Sequence, residues 1–355
     1  MTLPTTPSVP PGSDPAVSYI MPVLNEVEYL QAGIDGILNQ DVDLPIEIVL
    51  ALGPSHDGTT ELAHAIAGRD PRIRIVENPA TDIPTGLNLA IAASSGPVIV
   101  RVDAHSELPP NYTRLAIAAL DRTGAANVGG VMLARGTRPF QRMVAQAYVS
   151  RFGLGGGQYH HVSAEGRPAE SAYLGVFRRD VLEAVGGYDA SLKRGEDWEL
   201  NLRIRTAGHV VWFDPALVVT YRPRSRWRDV ARQFFATGVW RGEVVRRHPL
   251  QNSPRYFAPP VLVTASAIAL TWGIWAALVD GDPLWPALVV AAGPAAYVLA
   301  LLGVTLAQRG LSIRERGMLL AVFVTMHYAW GIGFLRGLLF GARNQIDRSR
   351  VLQRS

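Results

Sequence analysis

PVIVRVDAHS, Pro97 to Ser106, carries the organising signal of the chain. From Val98 to Val102 the residues are apolar except Arg101, which suits a short strand covered on both faces, and the run stops at the acid Asp103. In open α/β sheets, ligands collect at such carboxyl ends. His105, two residues on, adds a second side chain able to ligate a divalent cation beside a phosphorylated substrate. On a purely structural reading Asp103 opens a turn and caps a helix after Pro109 and Pro110, and these ten residues do not separate the two readings.

Upstream, strand and helix alternate three times, and the opening strand with its helix makes a fourth. Val17 to Met21 reads as a strand ending at PVLNE, Pro22 to Glu26, followed by a helix with Leu30, Ile34, Ile37 and Leu38 on one face and Asn25 as its cap. Ile46 to Leu52 is a second strand running into GPSHDGTTE, where Asp57-Gly58 turns the chain and Thr59 or Thr60 caps a helix through Ala67. A third strand, Arg72 to Val76, leads through Asn78-Pro79 to a helix from about Thr85. This spacing suits right-handed crossovers, so the fold class is α/β, a mostly parallel Rossmann-like sheet with helices on both faces. Downstream, Pro109 to Arg122 reads as a helix, Ala126 to Leu133 as a strand, and Pro139 to Phe152 as a helix before GLGGGQYHH, whose Gly155 to Gly157 form either a ligand-closing or a plain surface loop.

The 355 residues contain no cysteine, which excludes disulfides and thiolate metal sites, and the formal net charge is only +4. Met1 to Pro15 is rich in Pro, Ser and Thr without a basic start or apolar core, so 1–15 is expected to be a disordered tail rather than a signal peptide. Arg222 to Arg255 carries arginines at 222, 224, 226, 228, 232, 241, 246 and 247 beside Trp227, Val230 and Phe234, the pattern of a basic amphipathic helix on an anionic lipid surface. Three apolar runs follow at 257–279, 284–307 and 318–340, each near the length a spanning helix needs. The gap 280–283 lacks bases and the gap 308–317 has Arg309, Arg314 and Arg316, so the first is assigned outside and the second inside. A third crossing then puts Arg343, Arg348, Arg350 and Arg354 outside, against the same rule, and Arg336 with glycines 331, 333 and 337 weakens the third run, so three membrane segments are expected with the third either spanning or re-entrant or interfacial.

The densest stretch is SAYLGVFRRDVLEAVGGYDASLKRGEDWELNLRIR. A strand precedes a helix from Arg179 to Val185 ended by Gly186-Gly187, and a second helix opens on Glu196 and Asp197. Two acids at a helix N-terminus are favoured by its dipole, so capping is one reading of that pair. On the same footing Arg203 is taken as a structural ion-pair partner, and Arg178 and Arg179 as exposed helix residues.

Together, PVLNE, SHDGTTE, GLNLAI, VDAHS, GVFRRDVLEAVGGYD and GEDWELNLR resemble the inverting family-2 glycosyltransferases of the GT-A fold, over Val17 to about Pro249. With YRPR at Tyr221 to Arg224 and RRHP at Arg246 to Pro249, the chain is most similar to the branch typified by the succinoglycan-biosynthesis glucosyltransferase. The resemblance implies a membrane-anchored enzyme that moves one sugar from a nucleotide-sugar donor, a UDP-sugar being expected, to a lipid-linked or polysaccharide acceptor. It implies Asp197 as general base, Glu196 and Trp198 at the acceptor, and Pro22, Asn25, Glu26, Asp57, Asn88 and Asp103 at the nucleotide sugar. Asp103 and His105 would hold a divalent cation, manganese favoured and magnesium the alternative, because imidazole suits the softer ion.

Two departures bear on this. Leu52 stands where the family commonly has an aspartate that reads base or ribose, which shifts nucleotide contact to Glu26 or Asp57, and D-x-D is D-x-H, so His105 either binds the metal or hydrogen-bonds a diphosphate oxygen. Gln233 followed by FFATGVWR lacks the Q-x-x-R-W spacing of processive members, which favours single transfer. The expected layout is a glycosyltransferase domain at 16–220, an interfacial segment at 221–255, membrane segments within 256–342 and a basic tail at 343–355, in the inner membrane with the catalytic domain cytoplasmic and no nucleic-acid partner. A polyprenyl-phosphate sugar synthase and a non-catalytic scaffold that keeps the fold are the alternatives.

Overall fold

A computed structural model of the chain describes residues 14–154, 165–249, 252–279 and 285–342. The expectations for the N-terminal tail up to residue 13, for Gly155 to Gly157, for the gap 280–283 and for the tail 343–355 lie outside the described residues. Two compact units emerge, one from 14–133 with 165–221, the other from 134–154 with 222–342.

The first unit carries one sheet of β1 (Val17–Val23), β2 (Ile46–Leu52), β3 (Ile73–Glu77), β4 (Val98–Arg101), β5 (Asn127–Ala134), β6 (Arg167–Pro168), β7 (Tyr173–Arg178) and β8 (Val211–Tyr221), in the order β3-β2-β1-β4-β7-β5-β8-β6. β1 pairs in parallel with β2 and β4, and β2 with β3, so this half is the expected α/β sheet. Beyond β4 the sheet turns antiparallel, β7 lying against both β4 and β5. β8 has no counterpart in the sequence reading, because Asp214-Pro215 interrupts its apolar pattern. β6 pairs only with Trp212 and Phe213, so Pro215 removes no hydrogen bond from that partner.

Helices α1 (Leu30–Leu38), α2 (Thr59–Ala67), α3 (Ile83–Ala93), α4 (Tyr112–Thr123), α6 (Arg179–Ala184) and α7 (Glu196–Thr206) cover the sheet. Strand alternation divides the core: Tyr19 and Met21 of β1 join Ile34 of α1 and Ala116 of α4, whereas Ile20 joins Leu87 of α3 and Leu200 of α7. Each fully buried aliphatic side chain there stabilises the fold by about 1.5–3 kcal/mol. Gly33 of α1 permits one close approach that places the site, since a Cβ on it would meet the Ala104 carbonyl oxygen at 2.6 Å. α1 therefore sits hard against the chain leaving β4.

Two structural roles differ from expectation. Asn25 does not cap α1, which begins at Leu30 after Tyr29; it occupies the left-handed region at φ 54° instead. Arg178 and Arg179 are not idle surface residues: Arg178 donates to the Ala125 and Leu120 carbonyls, and Arg179 donates to those of Gly96 and Ile91 and to the Ser94 hydroxyl. Arg203 pairs with Glu199 at 2.7 Å and donates to the Gly187 carbonyl, the structural role expected of it.

The second unit comprises α5 (Pro139–Val149), α8 (Trp227–Arg247), α9 (Ala258–Leu278), α10 (Trp285–Leu306) and α11 (Ile313–Phe340). α9 has Pro259 and Pro260 in its first turn, and α11 starts at a capping box of Ser312 with Glu315. The last three helices are long and apolar enough to cross a membrane. α8 buries Val230, Phe234, Val239, Trp240, Val244 and Val245, and much of that stripe faces α11.

Candidate active site

The site forms at the carboxyl ends of β1, β2 and β4, where the opening turn of α7 meets them. The first two turns are laced together by hydrogen bonds that the left-handed Asn25 makes available. Asn25 N donates to Ser55 Oγ and its Oδ1 accepts from His56 N; Glu26 N donates to Thr59 Oγ1 at 2.8 Å, and Val27 N to Asp57 Oδ2 at 3.3 Å. Asp57 Oδ1 also accepts from Thr59 N at 3.1 Å, so neither threonine caps α2: Gly58, at φ 95°, holds the cap position and Asp57 meets the first helical N–H. Burial works against the Asp57 charge, but these donors outweigh it and hold the carboxyl below the usual carboxylate range.

At the end of β4 the structure gives a central place to Arg101, which the sequence reading passed over. Its side chain is 4% exposed and points into three carboxylates: an ion pair with Asp197, Glu196 Oε1 at 3.3 Å and Asp103 Oδ1 at 3.4 Å. Its guanidinium also lies over the Tyr188 ring, 5.9 Å from the centroid. A lone charge inside an apolar strand was the available signal, because an arginine buried in a strand requires a buried partner. Asp103, Glu196 and Asp197, chosen from separate motifs, thus meet on one side chain.

The charge balance of this chamber is acid-rich. Burial, Glu196 and Asp103 push the Asp197 carboxyl up to about 8 against the pull of Arg101, although 39% of its side chain remains accessible. Arg101 is shifted upwards in turn by those carboxylates, against its own burial. Asp197 sits in the first turn of α7 after Gly195, whose φ of 76° suits glycine, and the helix dipole adds to the support of its charge. It is the accessible member of the group, open to a substrate on one side and held by a cation on the other.

His105 is drawn to the first turn, its Nδ1 3.1 Å from Glu26 Oε1. With Glu26 ionised, Nδ1 carries the hydrogen, which leaves the Nε2 lone pair free to ligate. Among the described residues no three His, Asp or Glu side chains converge as a ready metal cage. By chemistry the Asp103 carboxylate and the His105 imidazole are donors that suit a divalent cation.

Three further expected site residues are engaged within the protein. Asn88 uses both amide atoms on the backbone of Tyr188, donating to its carbonyl at 2.7 Å and accepting from its N–H at 2.9 Å, so it anchors the Tyr188 loop. Pro22 is buried within β1, and Trp198 is 5% exposed within the packing of α7.

Residues 18–186 match the model of the family described as Glycosyl transferase family 2. The succinoglycan biosynthesis protein ExoA of Rhizobium meliloti (strain 1021) is 30% identical over 334 residues, which cover 90% of this chain and 94% of that protein. Glycosyltransferase AglE of Haloferax volcanii is 25% identical, with 62% of this chain and 71% of that protein covered. Among solved structures, the mannosyltransferase PcManGT from Pyrobaculum calidifontis, in complex with GDP-Man and Mn2+, superposes with a TM-score of 0.53 at 19% identity, covering 93% of this chain and 88% of that one, which shows a shared fold.

Proposed function

The chain belongs to glycosyl transferase family 2, and on that premise we propose that this glycosyltransferase moves a single sugar, with inversion, from a nucleotide-sugar donor to a lipid-linked or polysaccharide acceptor at the cytoplasmic face of a membrane. The observation that carries the reading is the shared guanidinium of Arg101, which joins the carboxylate fit to hold a cation, Asp103, to the accessible carboxylate of Asp197. A transferase of this kind needs those two functions a fixed distance apart, one on the leaving group and one on the nucleophile.

The acceptor hydroxyl attacks the anomeric carbon opposite the nucleoside diphosphate, forming the new C–O bond as the old one breaks, and its proton passes to the Asp197 carboxylate. Inversion follows from that single displacement. Arg101 keeps Asp197 oriented and favours its charged form, while the neighbouring acids keep it basic enough to accept the proton. A bound divalent cation supplies charge neutralisation on the departing diphosphate. Asp103 and His105 would hold it, with Glu26 fixing the His105 ring; manganese is favoured and magnesium is the alternative. The laced turn of Asn25, Glu26 and Asp57 receives the nucleotide, a UDP-sugar in this proposal.

The succinoglycan pathway named for ExoA supports an exopolysaccharide or cell-surface glycan as the product class. The test is purified full-length protein incubated with manganese and a panel of nucleotide sugars, read by mass spectrometry of donor and acceptor. A glycosylated lipid or oligosaccharide of inverted anomeric configuration is expected; retention of configuration, or transfer at undiminished rate by Asp197→Asn, overturns the assignment.

A further inference from the structure

The three apolar helices that look alike by composition have different surroundings. In α9 only Pro260 is buried, and in α10 only Ala287, Leu301 and Thr305. Many of their large apolar side chains stand open, from 40% exposure at Val298 to 79% at Leu278. Such a surface requires lipid.

α11 is covered by protein on one face along most of its length. Between Leu319 and Gly337 eight residues are buried. Its first half runs along α5 and the residues after it: Glu315 lies 3.7 Å from Arg142, and His327 Nε2 donates to the Gly153 carbonyl at 3.1 Å. Its second half runs parallel to α8 through two facing G-x-x-x-G stretches, Gly238 with Gly242 and Gly333 with Gly337. A Cβ on Gly333 would meet the Phe235 carbonyl oxygen at 2.1 Å, and one on Gly337 would meet that of Val239 at 1.9 Å, so the backbones touch.

The helix in that contact is highly charged. Glu243 of α8 is fully buried, and Arg246 and Arg247 hold it at 2.9 and 2.7 Å. These pairs lie at the C-terminal end of α11, beside Gly341, and in the same parallel register a crossing by α11 would drag Arg228, Asp229 and Arg232, on the earlier turns of α8, to hydrocarbon depth.

We propose that the bilayer is crossed twice, by α9 and α10 alone, and that α11 stays at the membrane surface against α5 and α8. The lipid-binding surface is then the α9–α10 hairpin. Two crossings return Arg343, Arg348, Arg350 and Arg354 to the side from which the chain entered, which removes the conflict with the positive-inside asymmetry.

The chain contains no cysteine, so single-cysteine variants of the full-length protein report sidedness directly. Ala65→Cys, on the exposed side of α2, marks the catalytic unit; Asp282→Cys marks the α9–α10 link; Ser349→Cys and Ser355→Cys give two independent reporters beyond α11. Each is treated with a membrane-impermeant maleimide in sealed vesicles of known orientation, and again in detergent to fix its full reactivity. Ala65→Cys and both C-terminal reporters are expected to label from one face, with Asp282→Cys labelling only from the other. C-terminal reporters that label with Asp282→Cys mean three crossings and overturn the proposal, as does Asp282→Cys labelling with Ala65→Cys.

Discussion

Two buried acidic centres in the first unit, Glu47 in β2 and the Asp103–Glu196–Asp197 group around Arg101, have opposite electrostatic outcomes. Glu47 is surrounded by donors: Ser18 Oγ at 2.7 Å, Ser95 N at 2.6 Å, Gly96 N at 3.2 Å and the Arg74 guanidinium. Burial opposes its charge, yet those donors outweigh burial and its carboxyl lies below the usual 4.5. Around Arg101 one cation serves three carboxylates, and Asp197 is pushed up to about 8. Burial is common to both; what differs is whether the charge is answered. A fully answered carboxylate staples β2 to the turn before β4, whereas an under-answered one is left able to take a proton or gain from a cation.

The sharpest way to break this contrast is Asp197→Asn. It is expected to lower kcat by about 10²- to 10⁴-fold while leaving the melting temperature unchanged or higher, in initial rates and thermal melts on one preparation. Loss of stability without loss of turnover would put Asp197 in the same class as Glu47.

Removing the cation comes next. Arg101→Met leaves three acids without their partner and is expected to cost about 3–5 kcal/mol of folding stability, measured by denaturant unfolding of the catalytic signal. The double change Arg101→Met with Asp197→Asn should recover part of that loss, and strict additivity would show that the two residues are not coupled.

Glu47→Gln should cost about 1–3 kcal/mol and leave turnover per folded molecule unchanged. The sign of its pH dependence follows from the lowered carboxyl: the stabilisation is complete above the ordinary value of 4.5 and disappears as pH falls through the folded-state value. Wild type should therefore lose stability more steeply below about pH 4.5 than the glutamine variant, and parallel curves from acid melts would refute the account. Asp197 has the opposite shift. As a base it must shed its proton, so kcat/KM should rise through an acid limb near pH 8 that is absent from Asp197→Asn. The smallest expected effect is at His105: His105→Asp restores two carboxylates and should raise magnesium-supported relative to manganese-supported activity, read as a ratio of initial rates.

The parallel half of the sheet was legible in the chain because its signals are local. Apolar runs of strand length, turn residues at Asp57-Gly58 and helical spacing at Leu30, Ile34 and Ile37 each report on a few neighbouring residues. The individual acids Asp103, Glu196 and Asp197 were legible for the same reason, each lying inside a recognisable motif. β8 was hidden by Asp214-Pro215, and the hydrogen bond of Asn88 to Tyr188, 100 residues away in the chain, leaves no local mark in the sequence.

By itself the sequence determined the alternation of strands and helices, the family's acidic motifs, and the presence of three apolar helices. Tertiary structure alone decided which charges meet and which apolar faces are already covered. Arg101 became the hub of the site only when α7 brought Asp197, 96 residues further on, to the end of β4. α11 was separated from α9 and α10 only by the helices packed on it, since hydropathy records how apolar a segment is and not whether lipid or protein surrounds it.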